Sequence, residues 1–325
     1  MTAVSPDTPL YAAVDLGGSK LRAVVAEASG RVLGRDIRPS HAQEGLDAVL
    51  ARIGESLDAA VADAAVERSR LAGLGVASPG AVDVERGVVP AAPQLPGWRE
   101  VPLARLLRER TGLPTRVEND ASAAALGEHR FGAGRGTRHM LYVTVSTGVG
   151  GGIIIDGDLY RGKSGAAGEV GHVVIDIDGP PCGCGSRGCL EAFASGTAIG
   201  RRGEELLTAG EAPELARLAA KEGPVTAEMM ARAAEKGDAA CREAFREAAR
   251  YLGTALAGLI NIFDPEAIVL GGGVSRAGEL IFAPARATME SLAMSKPVTA
   301  RLVPAELGDL SGALGLVAVL AEARP

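Results

Sequence analysis

The segments YAAVDLGGSKLRAVVAEASGRVLGR (residues 11–35) and MLYVTVSTGVGGGIIIDGDLYRG (residues 140–162) repeat one pattern: short apolar, β-branched runs broken twice by glycine turns. The breaks fall at Gly17-Gly18 and Ser29-Gly30 in the first copy, and at the glycines of 148–152 and Asp156-Gly157 in the second. Such runs predict the strands of a hairpin meander, with the glycines supplying backbone angles that other residues resist. Two meanders of one design in a single chain predict a duplicated domain.

Elsewhere the apolar period changes to that of a helix. In EGLDAVLARIGESLDAAVADA, Leu46, Val49, Leu50, Ile53, Leu57 and Val61 form the stripe of an amphipathic helix. LAGLGVASPGAVD predicts a buried strand ending in a Pro-Gly turn, and ASAAALGEH predicts a helix capped by Asn119 or Asp120. CREAFREAARYLGTALAGLINIFDP predicts a long helix stopped at Asp264-Pro265, followed by the strand AIVLGGG and another helix. The closing SGALGLVAVLAEA helix is able to fold back onto the first domain. Strands alternating with helices over the whole length indicate a layered α/β chain. At 325 residues, 47% hydrophobic and 23% charged, it is a folded globule long enough for two domains.

A formal net charge of −6 offers no basic footprint for a phosphate backbone, so nucleic acid is not an expected partner. MTAVSPDTPL lacks the features of a signal peptide, and the most apolar stretches fall short of the ~20 residues that span a bilayer. A cytoplasmic protein without a membrane partner is expected. Four cysteines, with Cys241 alone in a helical pattern, do not make a disulfide scaffold.

A glycine turn directly after an apolar strand lets the backbone approach a ligand and gathers N–H groups in one concavity, which suits phosphates. In DLGGSK, Asp15 is able to hold a magnesium ion through water, while Ser19 and Lys20 answer phosphate charge. STGVGGG adds the Thr147 hydroxyl and backbone donors, and Gly271-Gly272-Gly273 sits between a strand and a helix start, where anions are favoured. A plain tight hairpin explains each turn taken alone, and neither a Walker A nor a Rossmann spacing is present. Three together favour a nucleotide held between two domains.

DLGGSK, VENDASAAALGE, STGVGGGIIIDGDLYRG, AGEVGH, CGCGSRGCLE and LGGGVS occur in the order and spacing of the ROK family of sugar kinases and repressors. The chain resembles that family from about residue 11 to about residue 320, most nearly its ATP-dependent glucokinases. The resemblance implies an actin-like, ribonuclease-H-like duplicated α/β fold, with sugar and ATP meeting in a cleft between two domains. The expected division is residues 1–120 with 310–325 as a smaller domain and 121–309 as a larger one carrying a zinc-binding loop. A homodimer or a tetramer is implied.

Residue by residue, the resemblance makes Asp120 the base facing a sugar hydroxyl, with Asn119 and Gly80 beside the sugar. Glu169, His172 and Glu191 become ligands of sugar hydroxyls. Asp15, Gly17, Gly18, Ser19, Lys20, Thr147, Gly148, Gly271, Gly272 and Gly273 become the site for ATP with Mg2+. Phosphoryl transfer asks mainly for alignment and charge neutralisation, with one carboxylate accepting the hydroxyl proton. From local sequence alone an Asp opening an alanine-rich helix is equally an N-cap, and the two glutamates are equally solvated surface acids.

Cys182, Cys184 and Cys189 with His172 ten residues upstream offer the Cys3His set of a closed structural Zn2+ site. A disulfide is the main rival, though a Cys-x-Cys bridge is strained and the expected compartment reducing. A filled four-ligand zinc has no open position for water, so it would shape the loop carrying Glu191 and orient His172 rather than react.

Three positions depart from the family pattern: Ser19 replaces a common Thr, Ser122 a common Asn, and Gln94 the Asn that contacts the sugar. Gln94 keeps the amide one methylene further out, which leaves glucose as the expected substrate and another hexose or an N-acetylhexosamine as the alternative. The rival from another class is a sugar-responsive repressor or sensor. Only about ten residues precede the first strand, which argues against a preceding helix-turn-helix.

Overall fold

The computed structural model describes residues 8–92 and 95–322, and these form two compact units. The first comprises the chain up to Gly136, Gly152–Gly168, and the chain from Glu306 onward; the second comprises Thr137–Gly151 and Glu169–Ala305. Gln94 lies outside the described residues.

In the first unit the predicted meander is β1 (Leu10–Leu16), β2 (Lys20–Glu27) and β3 (Val32–Pro39), antiparallel neighbours in that order. The amphipathic helix α1 (Leu46–Asp63) follows, then β4 (Leu71–Ser78) parallel to β1. A small ribbon of β5 (Val89–Ala91) and β6 (Arg99–Val101) leads through α2 (Leu103–Thr111) to β7 (Thr115–Asn119), parallel to β4. The helix α3 (Asp120–Phe131) closes this run. Alternation along β1 sends Ala12, Val14 and Leu16 into one core with Val49, Ile53 and Leu57 of α1, and Ala13 into another on the opposite face.

The second meander is β8 (Met140–Val145), β9 (Val149–Ile155) and β10 (Asp158–Leu159). A loop segment then leads to the short α4 (Glu191–Ala194), followed by α5 (Gly196–Ala209), α6 (Pro213–Glu222), α7 (Ala227–Glu235) and the long α8 (Ala239–Phe263). Asp264 ends α8 in the left-handed conformation, at φ 42, where Asp264-Pro265 predicts the stop. β11 (Ala267–Gly271), α9 (Glu279–Leu292), β12 (Arg301–Pro304) and α10 (Ser311–Glu322) complete the chain. The strand orders are β3-β2-β1-β4-β7 and β10-β9-β8-β11-β12, one topology used twice, as the repeated meander predicts. This is the duplicated α/β architecture of the actin-like fold.

The closing helix α10 is apolar on nearly every side because it is buried against α3 and the second face of the first sheet. Gly127 and Gly315 let the two helices touch: a Cβ on either would meet the other's backbone. This contact holds α3 in the first unit, whereas the expected division assigned residues from 121 onward to the larger domain. The segment Gly152–Gly168 likewise belongs to the first unit. A 3₁₀ turn, Gly273–Ala277, follows the third glycine run, so α9 does not begin directly at those glycines.

Candidate active site

In the first unit, the parallel register places Ser78 opposite Asn119, so the Ser-Pro-Gly turn after β4 runs beside the start of α3. Asn119 is the N-cap: its Oδ1 accepts the Ser122 N–H at 2.9 Å, and its Nδ2 donates to the Gly80 carbonyl at 3.0 Å. Gly80 sits at φ 82 with its Cα against the Ala91 carbonyl, a position with no room for a side chain. Asp120 is the first helical residue, and its Oδ1 accepts from the Ala121 N–H at 2.8 Å and from Asn119 Nδ2 at 3.2 Å. Capping thus falls to Asn119, and Gly80, Asn119 and Asp120, the residues expected beside a sugar, are brought together. Ser122 is buried and serves the cap through its N–H.

Behind this group lies a feature the sequence did not disclose. Glu118, buried to 1% exposure, accepts from Arg161 Nε at 2.8 Å and Nη2 at 2.7 Å, while its other oxygen accepts the Asn119 N–H at 3.1 Å. The ion pair ties the loop after β10 to the end of β7, two residues before the candidate base. No local pattern announces a partner 43 positions away.

The first glycine turn, Gly17–Lys20, is closed by the Gly17 N–H donating to the Lys20 carbonyl at 2.8 Å, and Gly18, Ser19 and Lys20 are exposed. Asp15 lies beneath it, opposite Arg22 across the hairpin, with the guanidinium 3.7 Å from its carboxylate. Burial pushes the Asp15 carboxyl up to about 6, against the pull of Arg22 and aided by the like charge of Asp309. Arg22 reaches Asp309 as well, at 3.7 Å. The hairpin register was the signal that could have singled out Arg22.

In the second unit the other two glycine runs meet. The start of α5 grips the turn after β8: Gly196 N–H donates to the Ser146 carbonyl at 2.7 Å and Thr197 Oγ1 to the Thr147 carbonyl at 2.7 Å. Gly272, at φ 86, lies flat on the backbone of Val145, and Gly273 faces open space. Thr147, Gly148 and Gly271–Gly273 therefore line one region, with the Thr147 side chain exposed.

The cysteine loop follows in the same unit. The candidate ligand atoms of His172, Cys182, Cys184 and Cys189 all lie within 4.8 Å of one another. Cys184 Sγ is 3.8 Å from Cys189 Sγ, and Cys182 Sγ is 3.7 Å from His172 Nδ1. A tetrahedral zinc with sulfurs at about 2.3 Å separates them by about 3.8 Å, whereas a disulfide needs about 2.05 Å. The thiols are unpaired and the set fits a metal. Without one, burial pushes the Cys182 thiol up to about 12 and raises Cys189 too, while backbone hydrogen bonding at Ser186 lowers Cys184. A divalent cation reverses the burial effect by binding thiolates.

His172 turns Nδ1 to the sulfurs and Nε2 toward Glu169, whose carboxylate lies 4.0 Å away. Glu191 is shared: Oε2 accepts the Val149 N–H at 3.0 Å, and Oε1 lies 3.8 Å from Cys182 Sγ. A Cβ on Gly148 would strike that carboxylate, so the second glycine turn and the cysteine loop are built against each other. Glu169, His172 and Glu191 are thereby gathered around one loop.

Comparison with known proteins matches this arrangement to a family. The family model described as the ROK family covers residues 11–323. A glucokinase of Halalkalibacterium halodurans is 38% identical over 307 residues, 94% of this chain and 93% of that protein. A xylose repressor of Caldicellulosiruptor bescii is 30% identical over 98% of this chain and 79% of its own length. The crystal structure of a ROK family glucokinase from Streptomyces griseus, in complex with glucose and AMPPNP, superposes with a TM-score of 0.85 at 36% identity, covering 95% of this chain and 98% of that one. Motifs, duplicated topology and near-complete coverage agree: this chain belongs to the ROK family.

Proposed function

We propose that this protein is an ATP-dependent hexose kinase that converts glucose to glucose 6-phosphate. The observation that carries the reading is Asp120, a carboxylate fixed at the first turn of α3 where its neighbour Asn119 has already taken the capping role. Asp120 accepts the proton of the sugar hydroxyl as that oxygen attacks the γ-phosphorus of ATP, and ADP leaves. Asn119, Gly80, Glu169, His172 and Glu191 orient the sugar through its hydroxyls. The turns at Gly17–Lys20, Thr147–Gly148 and Gly271–Gly273 bind the nucleotide, with Lys20 and backbone N–H groups facing phosphate charge. Asp15 would hold Mg2+ through water, and the ion would supply charge neutralisation on the phosphates. His172, Cys182, Cys184 and Cys189 would hold Zn2+, which would shape the loop. Similarity to glucokinases over nearly the whole chain supports the substrate pair. A cytoplasmic homodimer completes the proposal, and among the described residues no helix is long and apolar enough to cross a membrane.

The test is a coupled assay that reads ADP release with ATP as donor, and sugar phosphate formation with polyphosphate as donor, across glucose, mannose, fructose, N-acetylglucosamine, N-acetylmannosamine and xylose. The expected outcome is the highest kcat/KM for glucose with ATP. Preference for an N-acetylated sugar would assign Gln94 to a different acceptor, and sugar binding without turnover would make the chain a sensor.

A further inference from the structure

Beneath the exposed turn Gly17–Lys20 lies Ser40, which has no accessible surface. Its Oγ donates to the Gly18 carbonyl at 2.9 Å, and its backbone N–H donates to the Ser19 carbonyl at 3.0 Å. One residue thus grips two consecutive carbonyls. Ser40 reaches this place because β3 ends at Pro39, opposite Lys20, and His41 at φ 46 then turns the chain into the 3₁₀ turn Ala42–Glu44.

In a planar trans peptide the C=O and N–H groups point in opposite directions. Drawing the Gly18 and Ser19 carbonyls toward Ser40 therefore turns the Ser19 and Lys20 N–H groups away from it. Gly18, with no Cβ, leaves the peptide between it and Ser19 easy to flip. A flipped peptide would present carbonyl lone pairs, not N–H dipoles, to an anion. We propose that Ser40 is a positioning residue for nucleotide binding, locking the Gly17–Lys20 turn in the orientation that receives phosphate. This rests on the reading of that turn as a phosphate site.

The test compares the wild-type chain with Ser40→Ala and Ser40→Thr by calorimetric titration with Mg-AMPPNP, steady-state kinetics and thermal unfolding. Ser40→Ala removes one hydrogen bond of about 1 kcal/mol, so nucleotide affinity is expected to fall, and KM for ATP to rise, by up to about fivefold. KM for glucose stays within about twofold, since the sugar residues are untouched. Ser40→Thr keeps the hydroxyl and is expected to retain more nucleotide affinity than Ser40→Ala. A Ser40→Ala protein of lowered melting temperature but unchanged nucleotide affinity overturns the proposal, as does equal weakening of glucose and nucleotide, or a Thr variant weaker than the Ala variant. A wild-type chain that binds Mg-AMPPNP without phosphorylating any sugar of the panel would sink the kinase reading and leave this role of Ser40 standing; one that binds no nucleotide would sink both.

Discussion

Asn119, not Asp120, satisfies the end of α3, which leaves the proposed base Asp120 without a capping duty. Asp120→Asn is therefore expected to fold normally, with a melting temperature within a degree or two of wild type, and to lose about 10²–10⁴-fold in kcat as general-base catalysis is removed. A variant that kept a large share of wild-type kcat in the coupled assay would displace Asp120 from its role. Asp15 behaves differently because its carboxyl, ordinarily at 3.8, is pushed up to about 6 by burial. The folded state then binds a proton that the unfolded chain has already released, so this group's contribution to stability is largest below pH about 4 and is lost as pH rises through about 6. Asp15→Asn should thus raise stability relative to wild type at pH 7 but not at pH 4, by an upper bound of about 3 kcal/mol. Urea unfolding at both pH values without nucleotide or magnesium measures this, and equal effects at the two would contradict it. The same variant should turn over ATP poorly. The motif singled out Asp15 and Asp120, and the hairpin register could have added Arg22, but Glu118 emerges only from its side-chain contact with Arg161.

Among the elements, the cysteine loop and the α3–α10 pair carry the sharpest expectations. Cys184 is the exposed member of the proposed zinc set, so Cys184→Ser should leave the hydrophobic core intact while the ligand count drops to three. Metal analysis after dialysis against a weak chelator should find near one zinc per wild-type chain and far less in the variant. KM for glucose should rise by about tenfold or more, because Glu191 and His172 lose the scaffold that orients them. A metal-free preparation with wild-type glucose affinity would remove zinc from the account. At the other contact, Glu128 on α3 is fully buried and accepts four hydrogen bonds: from the N–H groups of Ala133, Glu306 and Leu307, and from Ser311 Oγ. Glu128→Gln replaces an acceptor oxygen by a donor among donors, with an expected loss on the order of 3 kcal/mol in urea unfolding. A change below about 1 kcal/mol would mean the surrounding N–H groups find other partners.

For the whole molecule, repetition is what the sequence conveyed best. The two glycine-broken meanders predicted two sheets of one topology, and the strand orders agree. The apolar stripe of α1, a cap at Asn119 or Asp120 and the stop at Asp264 were equally legible, because each depends on neighbours within a few residues. Motif order also assigned the chain to its family and named the residues around Asp120 and around the cysteines. What only the tertiary structure decided was membership and partnership across long separations. α3 joins the first unit because Gly127 and Gly315 permit close contact with a helix near the end of the chain. Arg161 finds Glu118, Glu191 finds Val149, and Ser40 finds the carbonyls of Gly18 and Ser19. Local sequence determines backbone periodicity, turns and caps, since these are settled by short-range sterics and hydrogen bonds. Which buried polar group meets which donor depends on how sheets and helices stack, and that is settled only when distant segments pack.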